Sequence, residues 1–184
     1  GVGASVYRGW TFDGPIEAHG VELPARGALR EEALTMEMDD LVARLRQALL
    51  PELDGPFTFF GHCMGGLVAF ELARALSRDG KTPEHLFISA CPPPDRYAVA
   101  CFDPLTLRYV SDPPPGYDGL QRMQDLAPAR FTEVLRFLDF APARVVIEDA
   151  DMMRRALPVA QSDFGLCASY AWKEASPLAM PITT

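Results

Sequence analysis

Residues 57–89 limit the folds open to this chain more than any other segment. Residues 57–60, Phe-Thr-Phe-Phe, are a short apolar, β-favouring run, the size of a buried parallel strand. Gly61-His62-Cys63-Met64-Gly65-Gly66 follows without a spacer. A helical pattern then runs to about Ser77, with Val68, Leu72, Ala75 and Leu76 on one side. Gly80 and Pro83 end it, and residues 86–89 read as a second buried strand. Strand, helix, strand at this length is a βαβ unit. Its strands are expected to be parallel neighbours joined by a right-handed crossover.

The rest of the chain is arranged around that unit. A length of 184 residues suits a single domain with a real core, here expected over 1–184. From Thr35 a helix is expected, because Met38, Leu41, Val42, Leu45 and Leu49 fall on one apolar stripe that Pro51 stops. A short strand is read at 21–23, closed by Pro24 and Gly27. Residues from about 118 to 172 are mainly helical, strongest at 128–140 and 150–170, with Pro158 expected to kink or divide the second piece. A helical block inserted after a βαβ core has the character of a lid over a site, here about 100–170. The Pro92–Pro94 and Pro113–Pro115 runs read as loops. The opening GVGASVYRGW has the small residues usual after a strand, and PLAMPITT reads as a strand just begun, so truncation at both ends is expected.

Composition removes several function classes. A formal charge of −8 argues against binding phosphate backbones or anionic lipid, so neither nucleic acid nor membrane is an expected partner. No run approaches the roughly 18 apolar residues of a membrane span, and no basic-then-apolar leader opens the chain; the expectation is a cytoplasmic protein. The four cysteines, Cys63, Cys91, Cys101 and Cys167, form no CxxC pair or zinc-like spacing, so no metal is expected; no cofactor is expected either. Cys91, Cys101 and Cys167 read as small buried apolar residues.

Cys63 is different because of its neighbours. A tight strand-to-helix turn that projects its central residue from the sheet edge needs small residues two places either side, here Gly61 and Gly65, with Gly66 giving further clearance. The turn sets the central side chain at the N-terminus of the next helix, where negative charge is favoured. The backbone N–H of Met64 then supplies half of an oxyanion hole. These features mark Cys63 as a nucleophile candidate, set against the plainer reading of a small residue in a tight corner.

The segment FTFFGHCMGGLVAFELARAL resembles the elbow of the stand-alone (type II) thioesterases of polyketide and nonribosomal-peptide assembly lines, which read GHSMG. GASVYRGW, VELPARG (their Leu-Pro-Gly-Arg), PVAQSDFGLCASY and PLAMPIT are similar to further family segments, in the same order. The resemblance implies an α/β-hydrolase: a mostly parallel sheet flanked by helices, with an inserted helical lid. It also implies hydrolysis of acyl groups from the phosphopantetheine arm of acyl or peptidyl carrier proteins. Carried over by position, Cys63 is the nucleophile, Met64 N–H an oxyanion donor, and Gly61, His62, Gly65 and Gly66 the elbow. Protein partner and acyl substrate would then be the carrier and its small-molecule chain.

This sequence departs from the family at two points. Its nucleophile position holds Cys where the family has Ser, read either as the working nucleophile or as a substitution that traps an acyl group. The family's catalytic Asp and His follow the strand that starts at Pro181, so both are expected beyond Thr184. His62 is read as a packing residue of the elbow, and His19 and His85 as residues at the opposite sheet edge. Related embedded thioesterases carry their acid after the strand matching residues 86–89, where Ala90 and Cys91 stand here and Asp95 is the first carboxylate. Arg26 and Arg30 are read as surface arginines serving solubility, set against contact with a carrier protein, and Asp163 as a structural partner of its own helix or a loop. Phe131, Leu135, Phe137, Leu138 and Phe140 form the apolar lid face. Two further readings stay open: an acyltransferase or cyclase using Cys63, and a catalytically silent homologue that binds carrier proteins.

Overall fold

In chain order the regular elements are α1 (Met38–Leu49), β1 (Thr58–His62), α2 (Met64–Arg78), β2 (His85–Ser89), the two-residue strands β3 (Phe102–Asp103) and β4 (Arg108–Tyr109), α3 (Pro128–Phe137), α4 (Arg144–Glu148), α5 (Ala150–Ser169) and β5 (Ile182–Thr183). They come from a computed structural model that describes residues 3–35, 37–99, 102–103, 108–109, 123, 125–137 and 144–184. The βαβ expectation holds: β1 and β2 are parallel, in a register that sets Phe59 beside Leu86 and His62 beside Ser89. β5 adds to the far side of β2, also parallel, in the order β1-β2-β5. β3 and β4 pair with each other, antiparallel.

Each helix has a local reason for its limits. α1 carries Asp39 and Asp40 in its first turn and Arg46 in its last, matching charge to the helix dipole. Its Met38 N–H donates to Ser169 Oγ at 3.0 Å, so α5 satisfies an orphan amide of α1. α2 ends where Gly80 turns to φ 76° and Lys81 N–H returns to Leu76 O. α5 starts at Asp149, whose carboxylate accepts from the Asp151 and Met152 amides at 2.9 Å.

Two apolar clusters form. In the first, Met38, Leu41 and Leu45 of α1 meet Leu67, Val68, Leu72 and Leu76 of α2, with Leu166 and Cys167 of α5. In the second, Phe131 and Val134 of α3 pack with Met123, Ile147 and Met153. α5 belongs to both, its first half to the second cluster and its last turns to the first. It is the element that ties the helical part to the sheet.

Several sequence expectations need correction. Residues 21–23 are not a strand: among the described residues they have no partner strand, and Val21 is exposed. β1 runs to His62, so Gly61 and His62 belong to the ladder and the turn itself is shorter than read. Pro158 does not divide α5, which is one helix over Ala150–Ser169. An interior proline costs about 3 kcal/mol, and anchoring at the Asp149 cap and in both clusters offsets it. Within the lid-face prediction, Phe131 is fully buried but Phe137 is half exposed. Leu138, Phe140, Cys101 and Pro113–Pro115 lie outside the described residues.

Candidate active site

β1 delivers the chain to the elbow and β2 fixes its position. Cys63 N–H donates to Ser89 O at 2.9 Å, continuing the ladder one residue past β1. The chain then turns at Cys63 itself, at φ 53° and ψ −124°, a region costly to any residue with a Cβ. α2 begins at the next residue, and Gly66 N–H closes onto Cys63 O at 2.9 Å. The Cys63 side chain makes no capping bond to α2; its thiol is free and half-buried. The Met64 amide, first in the helix, has no intrahelical acceptor.

The glycines divide the steric work unevenly. A Cβ on Gly61 would lie 2.2 Å from Gly65 O and 2.6 Å from Gly66 Cα, so the returning backbone of α2 excludes any side chain there. A Cβ on Gly66 would meet Cys91 Cβ at 2.9 Å and Ile88 Cγ2 at 3.0 Å. A Cβ on Gly65 would meet nothing within 4 Å. The expectation that Gly65 clears its own space is therefore wrong: its bare carbonyl matters to Gly61, while Gly66 holds the close approach to the segment after β2.

That segment contributes groups the sequence reading passed over. Ala90 takes φ 50°, bending the chain sharply after β2 and laying Cys91 on Gly66. Cys91 is half-buried rather than a core residue, and its thiol is pushed up to about 11, first by burial and then by the nearby Cys63 charge. Behind it, Tyr97 is buried with its hydroxyl 3.2 Å from Cys167 Sγ. Burial also raises Cys167, to about 12, against the hydrogen bond from Tyr97. Burial, then Cys167, pushes the Tyr97 phenol well above its ordinary value. A signal for Cys91 did exist: adjacent parallel strands end at the same sheet edge, so the residues after β2 must stand beside the elbow.

The other singled-out residues lie elsewhere. His62 is exposed, its Nδ1 3.1 Å from Ser89 Oγ. His19 pairs with Glu17 on the surface. His85 starts β2, stacks on Phe87 at 4.2 Å and reaches Thr183 Oγ1 at 2.8 Å. Asp95 is exposed. Among the described residues none of these is hydrogen-bonded to Cys63, and no three His, Cys, Asp or Glu side chains converge as a metal site. No described helix is long and apolar enough to cross a membrane.

Arg26 is not a surface arginine. Its guanidinium grips Asp163 with two bonds, of 2.7 and 3.1 Å, both side chains about one-tenth exposed. The pair locks the 24–29 turn to the middle of α5, and Asp163 is the loop-pairing residue expected of it. Arg30, by contrast, is exposed beside Glu31.

A parallel sheet, a strained residue set between close-packed backbones at the strand end, and a helix starting directly behind it define the α/β-hydrolase fold. The chain belongs to the thioesterase domain family, which matches residues 1–183. It is 31% identical to the gramicidin S biosynthesis protein GrsT of Aneurinibacillus migulanus, over 100% of this chain and 64% of GrsT. To the linear gramicidin dehydrogenase LgrE of Brevibacillus parabrevis it is 32% identical, over 98% of this chain and 63% of LgrE. Among solved structures it is similar to the RedJ thioesterase of the prodiginine pathway in Streptomyces coelicolor, with a TM-score of 0.74, 28% identity, and coverage of 98% of this chain and 64% of RedJ. The chain thus spans just under two thirds of the length of these three relatives.

Proposed function

We propose that this chain is the nucleophile-bearing part of a stand-alone thioesterase that removes acyl groups from the phosphopantetheine arm of acyl or peptidyl carrier proteins, through an acyl-Cys63 intermediate. One observation carries the reading: Cys63 holds φ 53° and ψ −124° between the end of β1 and the first amide of α2. Strain of about 1–3 kcal/mol persists where the surroundings enforce it, and here they present one thiol to a helix N-terminus. The biosynthetic names of GrsT and RedJ support the assembly-line setting.

In the proposed reaction the Cys63 sulfur attacks the thioester carbonyl carbon, and the developing oxyanion accepts the Met64 N–H. Collapse breaks the bond to the pantetheine sulfur, which leaves as its thiol, and the acyl group stays on Cys63. Water then releases the free acid and restores the thiol. The resemblance implies a histidine as base for that second step; His19, His62 and His85 are bonded to Glu17, Ser89 and Thr183 instead of to Cys63. The insertion over about 100–170 is assigned as the lid, with the α3 face around Phe131 packed inside its described helices.

A sulfur in this place also favours a second reading, acyl transfer. Exchange of one thioester for another is nearly even in free energy, and the acyl-cysteine remains activated towards amines. Incubation with an acyl-loaded carrier protein, read by intact mass and product analysis, separates the outcomes. An acyl-Cys63 adduct with free acid supports hydrolysis, and a new amide or ester supports transfer. Absence of any adduct on Cys63 overturns covalent chemistry and leaves a carrier-binding homologue. If Cys63→Ser gives the same rate and product ratio, the role assigned to sulfur is wrong.

A further inference from the structure

We propose that Cys91 is a resolving thiol for Cys63: under a hydroperoxide the two close a reversible disulfide that takes the nucleophile out of service. This regulates the site described above and rests on Cys63 being its reactive thiol, whatever acyl group it carries.

The placement comes from three independent contacts. Cys63 N–H is bonded to Ser89 O, which sets the nucleophile beside the residues that lead into Cys91. The left-handed bend at Ala90, φ 50°, then turns Cys91 back towards α2 instead of letting it run on past the sheet. There it settles on Gly66, where a built Cβ would be 2.9 Å from Cys91 Cβ and 3.2 Å from its Sγ. Gly66 is itself bonded to the Cys63 carbonyl. Both thiols therefore share the first turn of α2, and both are free and half-buried. Glycine at 66 is what lets Cys91 sit there, since a Cβ at that position would push it off.

The chemistry balances with one named oxidant. The Cys63 thiolate attacks a hydroperoxide, its sulfur takes a hydroxyl and the peroxide O–O bond breaks, releasing water or an alcohol after protonation. The Cys91 thiol, losing its proton, attacks the Cys63 sulfenic sulfur; the S–S bond forms and water leaves. In total, two thiols are oxidised by two electrons and one peroxide is reduced. Burial, and after it the neighbouring Cys63, holds Cys91 protonated, so Cys91 must give up its proton as it attacks. A dithiol then reduces the bridge by two exchanges, leaving as its own disulfide and restoring both cysteines as thiols. In an enzyme with serine at the elbow no such switch is possible.

The test is non-reducing peptide mapping of the whole protein after hydrogen peroxide, with acyl loading measured in parallel. The expected result is a peptide linking Cys63 to Cys91, with the loss of two hydrogens, loss of acyl loading, and recovery of both on dithiothreitol. In Cys91→Ser, Cys63 should instead run on to sulfinic acid and stay inactive after dithiothreitol. Gly66→Ala, which keeps both thiols and displaces Cys91, should give much less of the link. For the unmodified protein, dibromobimane should bridge the same two residues, a measurement that needs no variant. Oxidation of Cys63 without a bridge, or a bridge to Cys101 or Cys167, overturns the proposal. Failure of Cys63 to react with iodoacetamide or an acyl thioester would instead overturn the reading of Cys63 as the reactive thiol.

Discussion

The two glycines flanking Cys63 look equivalent in the sequence, and the structure makes them unequal by a measurable amount. In Gly61→Ala the new methyl would start 2.2 Å from Gly65 O and 2.6 Å from Gly65 C and Gly66 Cα. All three are backbone atoms of the first turn of α2, so no side chain can swing aside. Relief requires sliding α2 against β1, across the packing of Leu67 and Val68. Overpacking typically costs about 1–3 kcal/mol, and a backbone clash this deep belongs at the upper end, about 3 kcal/mol. For a chain of this size that lowers Tm by about 6–12 °C. In Gly65→Ala the methyl enters open space, and exchanging glycine for alanine in a helix is favourable by up to about 1 kcal/mol. Thermal unfolding of both variants beside the parent checks the pair: a large fall for the first, no fall or a small rise for the second. Equal losses, or a larger loss at Gly65, would falsify the account of the elbow as one-sided packing of Gly61 beneath the α2 backbone.

Arg26→Met should destabilise by about 3 kcal/mol, because it removes the guanidinium that balances the buried Asp163 carboxylate; urea unfolding measures it, and adding Asp163→Leu should recover most of the loss. Ala25 stands at φ 61° where the family motif has glycine, so Ala25→Gly should raise stability by about 1 kcal/mol in the same assay. Cys91 and Cys167 are raised to about 11 and about 12 from 9.0, and the folded state keeps both protons where the unfolded chain gives them up. Their contribution is complete below about pH 8.5 and disappears as pH climbs through 11 to 12. Melting temperature should therefore drop across that alkaline range, and Cys167→Ala should flatten the drop. Unchanged alkaline steepness in that variant would remove the thiols as its cause.

The sequence by itself determined the βαβ unit, the position of Cys63 at its corner, and the apolar stripe of α1. These features are local: a run of β-favouring residues, a spacing of glycines and a helical periodicity operate within a few residues of one another. The same local logic misled at residues 21–23, which are β-favouring yet pair with no strand among the described residues, and at Pro158, where anchoring at both ends of α5 outweighed one broken helical bond. Only the tertiary structure decided which glycine is indispensable, since that depends on how close the α2 backbone and Cys91 come. It also decided that Arg26 packs against the buried Asp163, 137 residues away. The place of Cys91 near the Cys63 turn was settled the same way, by parallel pairing of β1 with β2 and the bend at Ala90. Contacts between residues far apart in the chain are set by how packed elements meet, and no short window of sequence contains that information.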